Sequence, residues 1–260
     1  MNLLNDLELA KSAAIKTGDM VMTYFNKPIE VIEKSPNNPV TEADYKADEL
    51  LQTILKVQRP EYGWLSEETK DDGSRFENSK IWMVDPIDGT RAFIKGLPHF
   101  TISIALIENG DAVLGVIYNP ATGEMFNAAK NNGAYKNNKP ILSSNSSQLS
   151  GAKMLGDKNM FSSKSWPTQW PEMIIEQRNS IAYRMALVAS GEFDAAIATA
   201  PKNYWDVAAG TIILKEANGK ITDHKGQEFH FDRNLPLQKS LVASNLNLHT
   251  ELLSRLSHIE

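Results

Sequence analysis

Two aspartates that follow a short apolar segment are the first residues of this sequence whose spacing could do chemistry. Residues 81–84 are apolar and run directly into Asp85, and Asp88 follows three positions later. The segment is long enough for a buried strand, which we expect to end at Pro86 because proline lacks an N–H and has a fixed φ. Carboxylate oxygens are hard ligands of the kind that Mg²⁺ prefers. The spacing therefore predicts one edge of a divalent cation site.

Gly89 and Thr90 extend this prediction to a seat for phosphate. A glycine lets the backbone come close to a bound group, and residues 90–95 can form a short helix. The first N–H groups of a helix and its positive dipole end favour an anion. Asp-Pro and Asp-Gly are also ordinary turn dipeptides, so a plain strand–turn–helix without a ligand is the alternative.

Other acidic residues begin or end predicted elements. Glu67 lies in a polar stretch, Asp44 stands three residues after Thr41 in capping-box spacing, and Asp206 starts a predicted helix. Each has a purely structural interpretation: a solvated acid, a capping-box partner and a helix N-cap. A metal site requires that these carboxylates converge, which residue types alone do not show.

Hydrophobic periodicity predicts the elements that must position these acids. Helices are predicted over residues 3–25, from residue 41 onward, and over residues 181–191, 206–218 and 248–256. Strands are predicted over residues 81–84, 100–107, 112–118, 125–129, 194–200, 220–222 and 240–243. Residues 35–39 are dense in turn formers and predict a loop, and Asn109-Gly110 predicts a hairpin.

The predicted elements suggest two lobes. Residues 1–142 read as two helices followed by an antiparallel sheet, and residues 143–260 as alternating helices and strands. The polar connector at residues 143–147 is the predicted boundary.

Composition restricts the class of protein. The chain has 260 residues, of which 42% are hydrophobic and 23% charged, as in ordinary folded proteins. A net charge of -5 argues against a nucleic acid polymer as partner. The absence of cysteine excludes disulfides, zinc–thiolate sites and thiol catalysis. There is no secretion-signal pattern and no long apolar run, so we expect no membrane partner and a cytoplasmic location.

Four motifs in order resemble those of the inositol monophosphatase family, which comprises Mg²⁺-dependent, lithium-sensitive phosphatases. They are residues 39–44, residues 66–68, residues 82–90, and residues 205–210 followed by residues 216–220. The resemblance implies an α+β and α/β chain folded as a layered α-β-α-β-α sandwich, like inositol monophosphatase and fructose-1,6-bisphosphatase. It also implies a site in the cleft between the lobes, and a homodimer.

The resemblance further implies two or three Mg²⁺ ions per site. Glu67, Asp85 and the backbone carbonyl of Ile87 would hold the first ion. Asp85, Asp88 and Asp206 would hold the second.

The catalytic roles that the resemblance implies fall on three residues. Thr90 and Glu67 would position the attacking water, and Asp44 would hydrogen-bond Thr90. The N–H groups of Gly89 and Thr90 would bind the phosphate, and Asp206 would also contact the substrate.

The substrate pocket departs from that of the inositol-specific members. Those members carry a Gly-Thr/Ser-Ala-Ala stretch where this chain has residues 179–184, and a glutamate where it has Thr199. Residues 201–206 are instead similar to the 3′(2′),5′-bisphosphate nucleotidase branch. Arg184 and Lys202 could hold a second anionic group, since guanidinium and ammonium groups bind phosphate oxygens. The alternative is that both are solvated surface cations.

The substrate expected from these residues is a 3′(2′),5′-bisphosphate nucleotide. Inositol 1-phosphate is the next candidate, followed by histidinol phosphate and fructose 1,6-bisphosphate. A candidate of a different class is a catalytically silent module that binds a phosphorylated metabolite. Such a protein should have lost a metal ligand or Thr90, and this chain retains Thr90 and all the acids named above.

Overall fold

Helices alternate with strands along most of the chain. In the computed structural model, which describes residues 2–232 and 235–259, the helices are α1 (Leu3–Met22), α2 (Glu42–Gln58), α3 (Thr90–Ile94), α4 (Lys158–Ser162), α5 (Ile181–Ala189), α6 (Tyr204–Glu216) and α7 (Leu246–Leu256). A 3₁₀ helix covers Ser74–Glu77. The first nine strands are β1 (Val31–Ser35), β2 (Asn38–Thr41), β3 (Gly63–Ser66), β4 (Lys80–Asp88), β5 (Thr101–Glu108), β6 (Asp111–Asn119), β7 (Glu124–Ala129), β8 (Ala134–Lys136) and β9 (Lys139–Ile141). The others are β10 (Lys153–Leu155), β11 (Ile174–Glu176), β12 (Ala195–Ala198), β13 (Lys202–Asn203), β14 (Gly219–Thr222), β15 (Leu237–Gln238) and β16 (Leu241–Asn245).

Two large sheets form the second and fourth of five layers. The seven-stranded sheet has the order β3-β4-β5-β6-β7-β8-β9, and the five-stranded sheet has the order β11-β10-β12-β16-β14. Apolar side chains of α1 and α2 pack on one face of the larger sheet, and those of α5 and α6 fill the space between the sheets. Helices α4 and α7 cover the outer face of the smaller sheet. The predicted α-β-α-β-α sandwich is confirmed.

The middle layer explains how the second half of the chain reaches the first sheet. Helix α6 is apolar on nearly all sides, and Val207, Ala208, Ile212 and Ile213 are all buried. A helix with this composition is stable only where both of its faces are covered. Packing α6 between the sheets holds its N-terminal turn, and thus Asp206, at a fixed place beside β4 and β5.

We predicted that the strand before the two aspartates ends at Pro86. In the structure this strand, β4, continues to Asp88, so the prediction was wrong. Its pairing with β5 shifts register between Asp85 and Asp88. Such an irregularity opens the ladder of hydrogen bonds, so the missing N–H of proline is tolerated there. The expectation of a purely antiparallel sheet was also wrong, because β3 and β4 run parallel.

Several local predictions are confirmed and others need correction. Asn109 and Gly110 both have positive φ, at 52° and 84°, in the predicted hairpin. The loop expected over residues 35–39 is instead the turn of the hairpin formed by β1 and β2. Asn203, not Asp206, is the N-cap of α6, and Asp206 occupies the third helical position.

The division into lobes at residues 142 and 143 stays a prediction. Within the residues that the structure describes, no helix combines the length and the apolar character that crossing a bilayer requires.

Candidate active site

Three carboxylates from distant parts of the chain meet at one end of the larger sheet. One oxygen each of Glu67, Asp85 and Asp206 can be chosen such that all lie within 4.8 Å of one another. Glu67 follows β3 directly and Asp85 lies on β4, so these two come from neighbouring parallel strands. Asp206 comes from the first turn of α6. The structure thus brings together acids that are up to 139 positions apart in the sequence (206 − 67).

The charges of Asp85, Asp88 and Asp206 are poorly compensated by the protein. Burial, followed by the negative charges of Glu67 and Asp88, raises the pKa of Asp85 well above its ordinary value. Burial and the charges of Asp88 and Glu67 likewise raise the pKa of Asp206. Among the described residues, no ion pair joins a lysine, arginine or histidine to Asp85, Asp88 or Asp206. A cluster of hard oxygen donors with uncompensated charge fits a divalent cation.

Asp88 lies beside this cluster but is held in a different way. Its Oδ2 accepts hydrogen bonds from Ser180 Oγ at 2.7 Å and from the backbone N–H of Ala182 at 2.6 Å. Burial raises the pKa of Asp88 to about 6, although these two hydrogen bonds oppose the rise. The sequence analysis placed Ser180 in a stretch of the substrate pocket but did not predict its contact with Asp88, because nothing local relates it to a residue 92 positions earlier.

The Thr90 hydroxyl lies between a carboxylate and a carbonyl. Its Oγ1 is 3.0 Å from Asp44 Oδ1 and 3.1 Å from the backbone oxygen of Ile87. The other oxygen of Asp44 accepts the N–H of Thr41 at 2.8 Å, which is the predicted capping-box contact. Asp44 therefore both caps the N-terminus of α2 and orients the hydroxyl of Thr90. Burial raises its pKa, against the opposing effect of hydrogen bonds from Thr41 and Thr90.

Gly89 is required by the geometry of the turn before α3. It has φ +102°, a backbone conformation that side chains rarely adopt. A Cβ at this position would lie 2.7 Å from the backbone oxygen of His99 and 3.1 Å from the backbone nitrogen of Ser180. The close approach of three chain segments leaves room only for glycine, and Gly89 and Thr90 line the same pocket as the acids.

One lysine reaches the edge of the acid cluster, and sequence reasoning missed it. Lys34 Nζ, on β1, lies 2.9 Å from Glu67 Oε1 and 2.8 Å from Glu68 Oε1. Burial alone would lower the pKa of Lys34, but the charges of Glu67 and Glu68 raise it. These ion pairs involve Glu67 and Glu68 only, so Lys34 does not neutralise the charge of Asp85 or Asp206.

Three other cations line the pocket that the acids open into: Arg91, Arg184 and Lys202. Arg184 Nε donates to the backbone oxygen of Arg178 at 2.6 Å, and Lys202 Nζ donates to the backbone oxygens of Pro201 and Ala200 at 2.9 and 3.1 Å. Burial lowers the pKa of Arg184 and of Lys202. Within the described part of the chain, none of the three forms an ion pair with a carboxylate. Arg91 was not among the predicted pocket residues.

The rest of the pocket combines apolar and amide side chains. Its lining includes Met160, Gln177, Asn179, Ile181, Ile197 and Thr199, together with Asp157. The structure therefore places all the predicted site residues around one pocket or in direct contact with its lining, and their individual roles stay predictions.

A comparison of the sequence with models of known protein families identifies the family of this chain. The model of the inositol monophosphatase family matches residues 3–260. The chain belongs to the inositol monophosphatase family. The histidinol-phosphatase of Chlorobaculum parvum is 32% identical over 98% of each chain. The inositol-1-monophosphatase of Caulobacter vibrioides is 33% identical over 88% of this chain and 91% of its own length.

A solved structure agrees with this assignment. An inositol monophosphatase from Thermotoga maritima superposes with a TM-score of 0.85 at 29% identity, over 97% of each chain. As a member of the family, the chain is a phosphatase that hydrolyses phosphoric monoesters and acts on small phosphate esters. The family is generally metal-dependent, and the cluster of Glu67, Asp85 and Asp206 provides a group that could bind a metal.

Proposed function

We propose that this family member is a Mg²⁺-dependent phosphomonoesterase whose substrate carries a second anionic group. The favoured substrate is a 3′(2′),5′-bisphosphate nucleotide. The observation that supports this proposal is the presence of Arg91, Arg184 and Lys202, without carboxylate partners, in the same pocket as the acid cluster. A single phosphate group that is already bound by divalent ions does not require three basic side chains, so these cations favour a substrate with a second anionic group.

The proposal assigns the metal ligands to the residues that converge. Glu67, Asp85 and Asp206 would hold Mg²⁺, with Asp88 and the carbonyl of Ile87 as further oxygen ligands. Bound Mg²⁺ would supply a Lewis acid that activates water and stabilises charge on the leaving oxygen. Five carboxylates line the pocket when Asp157 is included, so an anionic ester would be repelled unless cations neutralise them.

The protein's own groups would position the reactants. The Thr90 hydroxyl has one proton and two neighbouring acceptors, Asp44 Oδ1 and Ile87 O, so the proton is always engaged. A lone pair of Thr90 Oγ1 can then accept a hydrogen bond from water, which orients that water's oxygen toward phosphorus. Unpaired N–H groups at Gly89 and Thr90 would bind the phosphate oxygens.

The second anion would contact the basic side chains of the pocket. Two hydrogen bonds, from Arg184 Nε and Nη2 to the Arg178 carbonyl, fix the plane of the guanidinium, and three of its five N–H donors remain for a ligand. Lys202 donates only to carbonyls one and two residues before it, which keeps its ammonium at the pocket wall. Binding an anion would compensate the burial of both cations.

A second candidate substrate is histidinol phosphate. The Chlorobaculum parvum relative that covers 98% of this chain bears the name histidinol-phosphatase. Asp157, which lines the pocket, could pair with the ammonium group of such a substrate. Inositol 1-phosphate is supported by the name of the Caulobacter vibrioides relative, whereas Thr199 provides no carboxylate for a polyol.

A substrate panel tests the proposal. We would measure kcat/KM for adenosine 3′,5′-bisphosphate, histidinol phosphate, inositol 1-phosphate and fructose 1,6-bisphosphate, each with Mg²⁺ and with EDTA. Preference for the bisphosphate nucleotide and loss of activity in EDTA are expected. A wide margin for inositol 1-phosphate or histidinol phosphate contradicts the substrate assignment. Binding without phosphate release from any ester would support the silent binding module.

Three further predictions accompany the proposal. We propose a homodimer, which sedimentation velocity would test, and a cytoplasmic location, which cell fractionation would test. The division into lobes at residues 142 and 143 can be tested by limited proteolysis of the connector.

A further inference from the structure

A buried hydroxyl contacts Asp88 from the start of α5. Ser180 is the N-cap of this helix, is fully buried, and accepts the N–H of Tyr183 at 2.8 Å. Its Oγ lies 2.7 Å from Asp88 Oδ2 and 3.0 Å from Thr101 Oγ1. One hydroxyl thus joins a helix cap, a strand threonine and an acid of the candidate site.

Counting protons gives these contacts a direction. An ionised carboxylate can only accept, so the single proton of Ser180 is donated to Asp88 Oδ2. Ser180 Oγ then has no proton for Thr101, and the 3.0 Å contact must be donated by the Thr101 hydroxyl. The chain of hydrogen bonds therefore runs from Thr101 through Ser180 to Asp88, and it ends on a charge, which strengthens each bond in it.

The backbone holds the three residues in place. Thr101 is the register partner of Asp88 in the pairing of β4 with β5. The N–H of Ser180 donates to the backbone oxygen of His99 at 3.1 Å, and the N–H of Ala182 donates to Asp88 Oδ2. The Ser180 hydroxyl and the N–H of Ala182 both reach Oδ2, and the N–H of Ile181 also hydrogen-bonds the Asp88 carboxylate, so the acceptor capacity of Oδ2 is already in use.

We propose that Ser180 is a positioning residue that selects which oxygen of Asp88 meets a divalent cation. This inference rests on the proposed metal site and adds a residue to it. With Ser180 and Ala182 both bound to Oδ2, rotation of the carboxylate to exchange its oxygens would break two hydrogen bonds. Groups that hydrogen-bond a metal ligand typically change metal affinity or activity by about 10- to 100-fold when removed.

Metal binding without substrate provides the test. Isothermal titration calorimetry with MgCl₂, and separately with MnCl₂, would be performed on chelator-treated wild type and on Ser180→Ala and Ser180→Thr. Ser180→Ala is expected to weaken cation binding about 10-fold or more, with a parallel loss of kcat/KM. Ser180→Thr keeps the hydroxyl and is expected to retain near wild-type affinity. Wild-type affinity in Ser180→Ala, or equal losses in both variants, overturns the proposal.

A control separates positioning from general stability. Ser244 is also fully buried, and its hydroxyl contacts His249 Nδ1 at 2.8 Å, away from the pocket lining. Ser244→Ala should lower the melting temperature and leave cation affinity unchanged. A loss of affinity in Ser244→Ala equal to that in Ser180→Ala overturns the proposal.

A second variant keeps the proposal falsifiable if Ser180→Ala does not fold. Thr101→Val removes the donor to Ser180 and leaves the helix cap intact, so a weaker loss of affinity in the same direction is expected. Wild-type affinity in Thr101→Val then contradicts the proposal. If the wild type binds neither ion, the metal site fails and this inference fails with it, whereas a failure of the variants alone leaves the metal site standing.

Discussion

The acids of the site differ in what compensates each charge. Glu67 pairs with Lys34, and Asp88 accepts two hydrogen bonds, but Asp85 has no cationic partner among the described residues. Burial and four neighbouring acids raise the pKa of Asp85, so its ionised form destabilises the metal-free protein. A residue that costs stability in this way is expected to have a functional reason for being retained.

Replacing Asp85 tests this expectation. Asp85→Asn is expected to abolish Mg²⁺-dependent turnover and to leave the melting temperature in EDTA unchanged or higher, because the amide removes a buried charge. Phosphate release and thermal unfolding would be measured on the same preparations. Asp111→Asn, at an exposed position, is the control and should change neither quantity. Retained turnover in Asp85→Asn contradicts the assignment of this residue.

The pocket cations carry the prediction about the substrate. Lys202→Met removes an ammonium that donates only to nearby carbonyls, so little structural disturbance is expected. Loss of a charge-assisted contact of about 1.5–3 kcal/mol should lower kcat/KM for adenosine 3′,5′-bisphosphate by roughly 10- to 100-fold. For inositol 1-phosphate, the change should be much smaller. Lys158→Met, an exposed lysine of α4, is the matched control, and equal losses on both esters would count against a second-anion site.

At the scale of elements, the turn between β4 and α3 depends on the start of α5. The backbones of Gly89, His99 and Ser180 approach so closely that a single methyl group would not fit. This contact fixes the turn that begins α3 beside Asp88. The strand, the short helix and α5 therefore form one unit, although α5 belongs to the second half of the chain.

Two glycine substitutions separate steric exclusion from backbone strain. Gly89→Ala adds a Cβ 2.7 Å from a carbonyl oxygen at φ +102°, and Gly123→Ala adds one in open space at φ +69°. In both variants the backbone strain of a positive φ should lower the free energy of unfolding by about 1–2 kcal/mol. Only Gly89→Ala should also displace the turn, lose most of its activity and unfold at clearly lower urea concentration. Equal urea midpoints and activities in the two variants would contradict the close approach.

At the scale of the whole molecule, the two sheets meet through α5 and α6, and the acid cluster lies where this layer joins the larger sheet. Folding therefore gathers several carboxylates at one place. Burial raises the pKa of Glu68 to about 7 and that of Asp88 to about 6, and those of Asp85 and Asp206 also rise. For such groups the folded state binds protons more tightly than the unfolded state, so stability is lost as pH rises through the folded pKa.

We expect the metal-free protein to become less stable between pH 6.5 and pH 8. A fall in melting temperature of about 4 °C in EDTA would correspond to roughly 1–2 kcal/mol for a chain of this size. Excess Mg²⁺ should reverse the trend, because a bound cation replaces the protons. A melting temperature in EDTA that rises or stays level over this range would contradict the prediction.

The window is chosen to exclude an opposing group. Burial lowers the pKa of His249 to about 4, and a group with a depressed pKa of this kind destabilises the folded state as pH falls below about 6.5. Below that pH, the histidine and the acids act in opposite directions. Burial also lowers the pKa of His99 and His224, and at higher pH the opposing contribution of all three histidines fades while that of the acids remains.

Local patterns were sufficient for much of the fold. The capping spacing of Thr41 and Asp44, the Asn109-Gly110 turn and the apolar face of the first helix all correspond to elements of the structure. They were predictable because each depends on residues within one or two turns of the chain. Pro86 was misjudged because the tolerance for proline inside β4 depends on a register shift against β5, which no local pattern reveals.

The sequence by itself determined the family through four ordered motifs, and the resemblance to that family implied the layered fold and the set of acids, whereas hydrophobic periodicity predicted the individual helices and strands. Only the tertiary structure decided which polar groups touch: Lys34 on Glu67, Ser180 on Asp88, and Arg91 in the pocket with Arg184 and Lys202. Contacts between side chains tens of residues apart follow from how packed layers align, and that alignment is a property of the whole core.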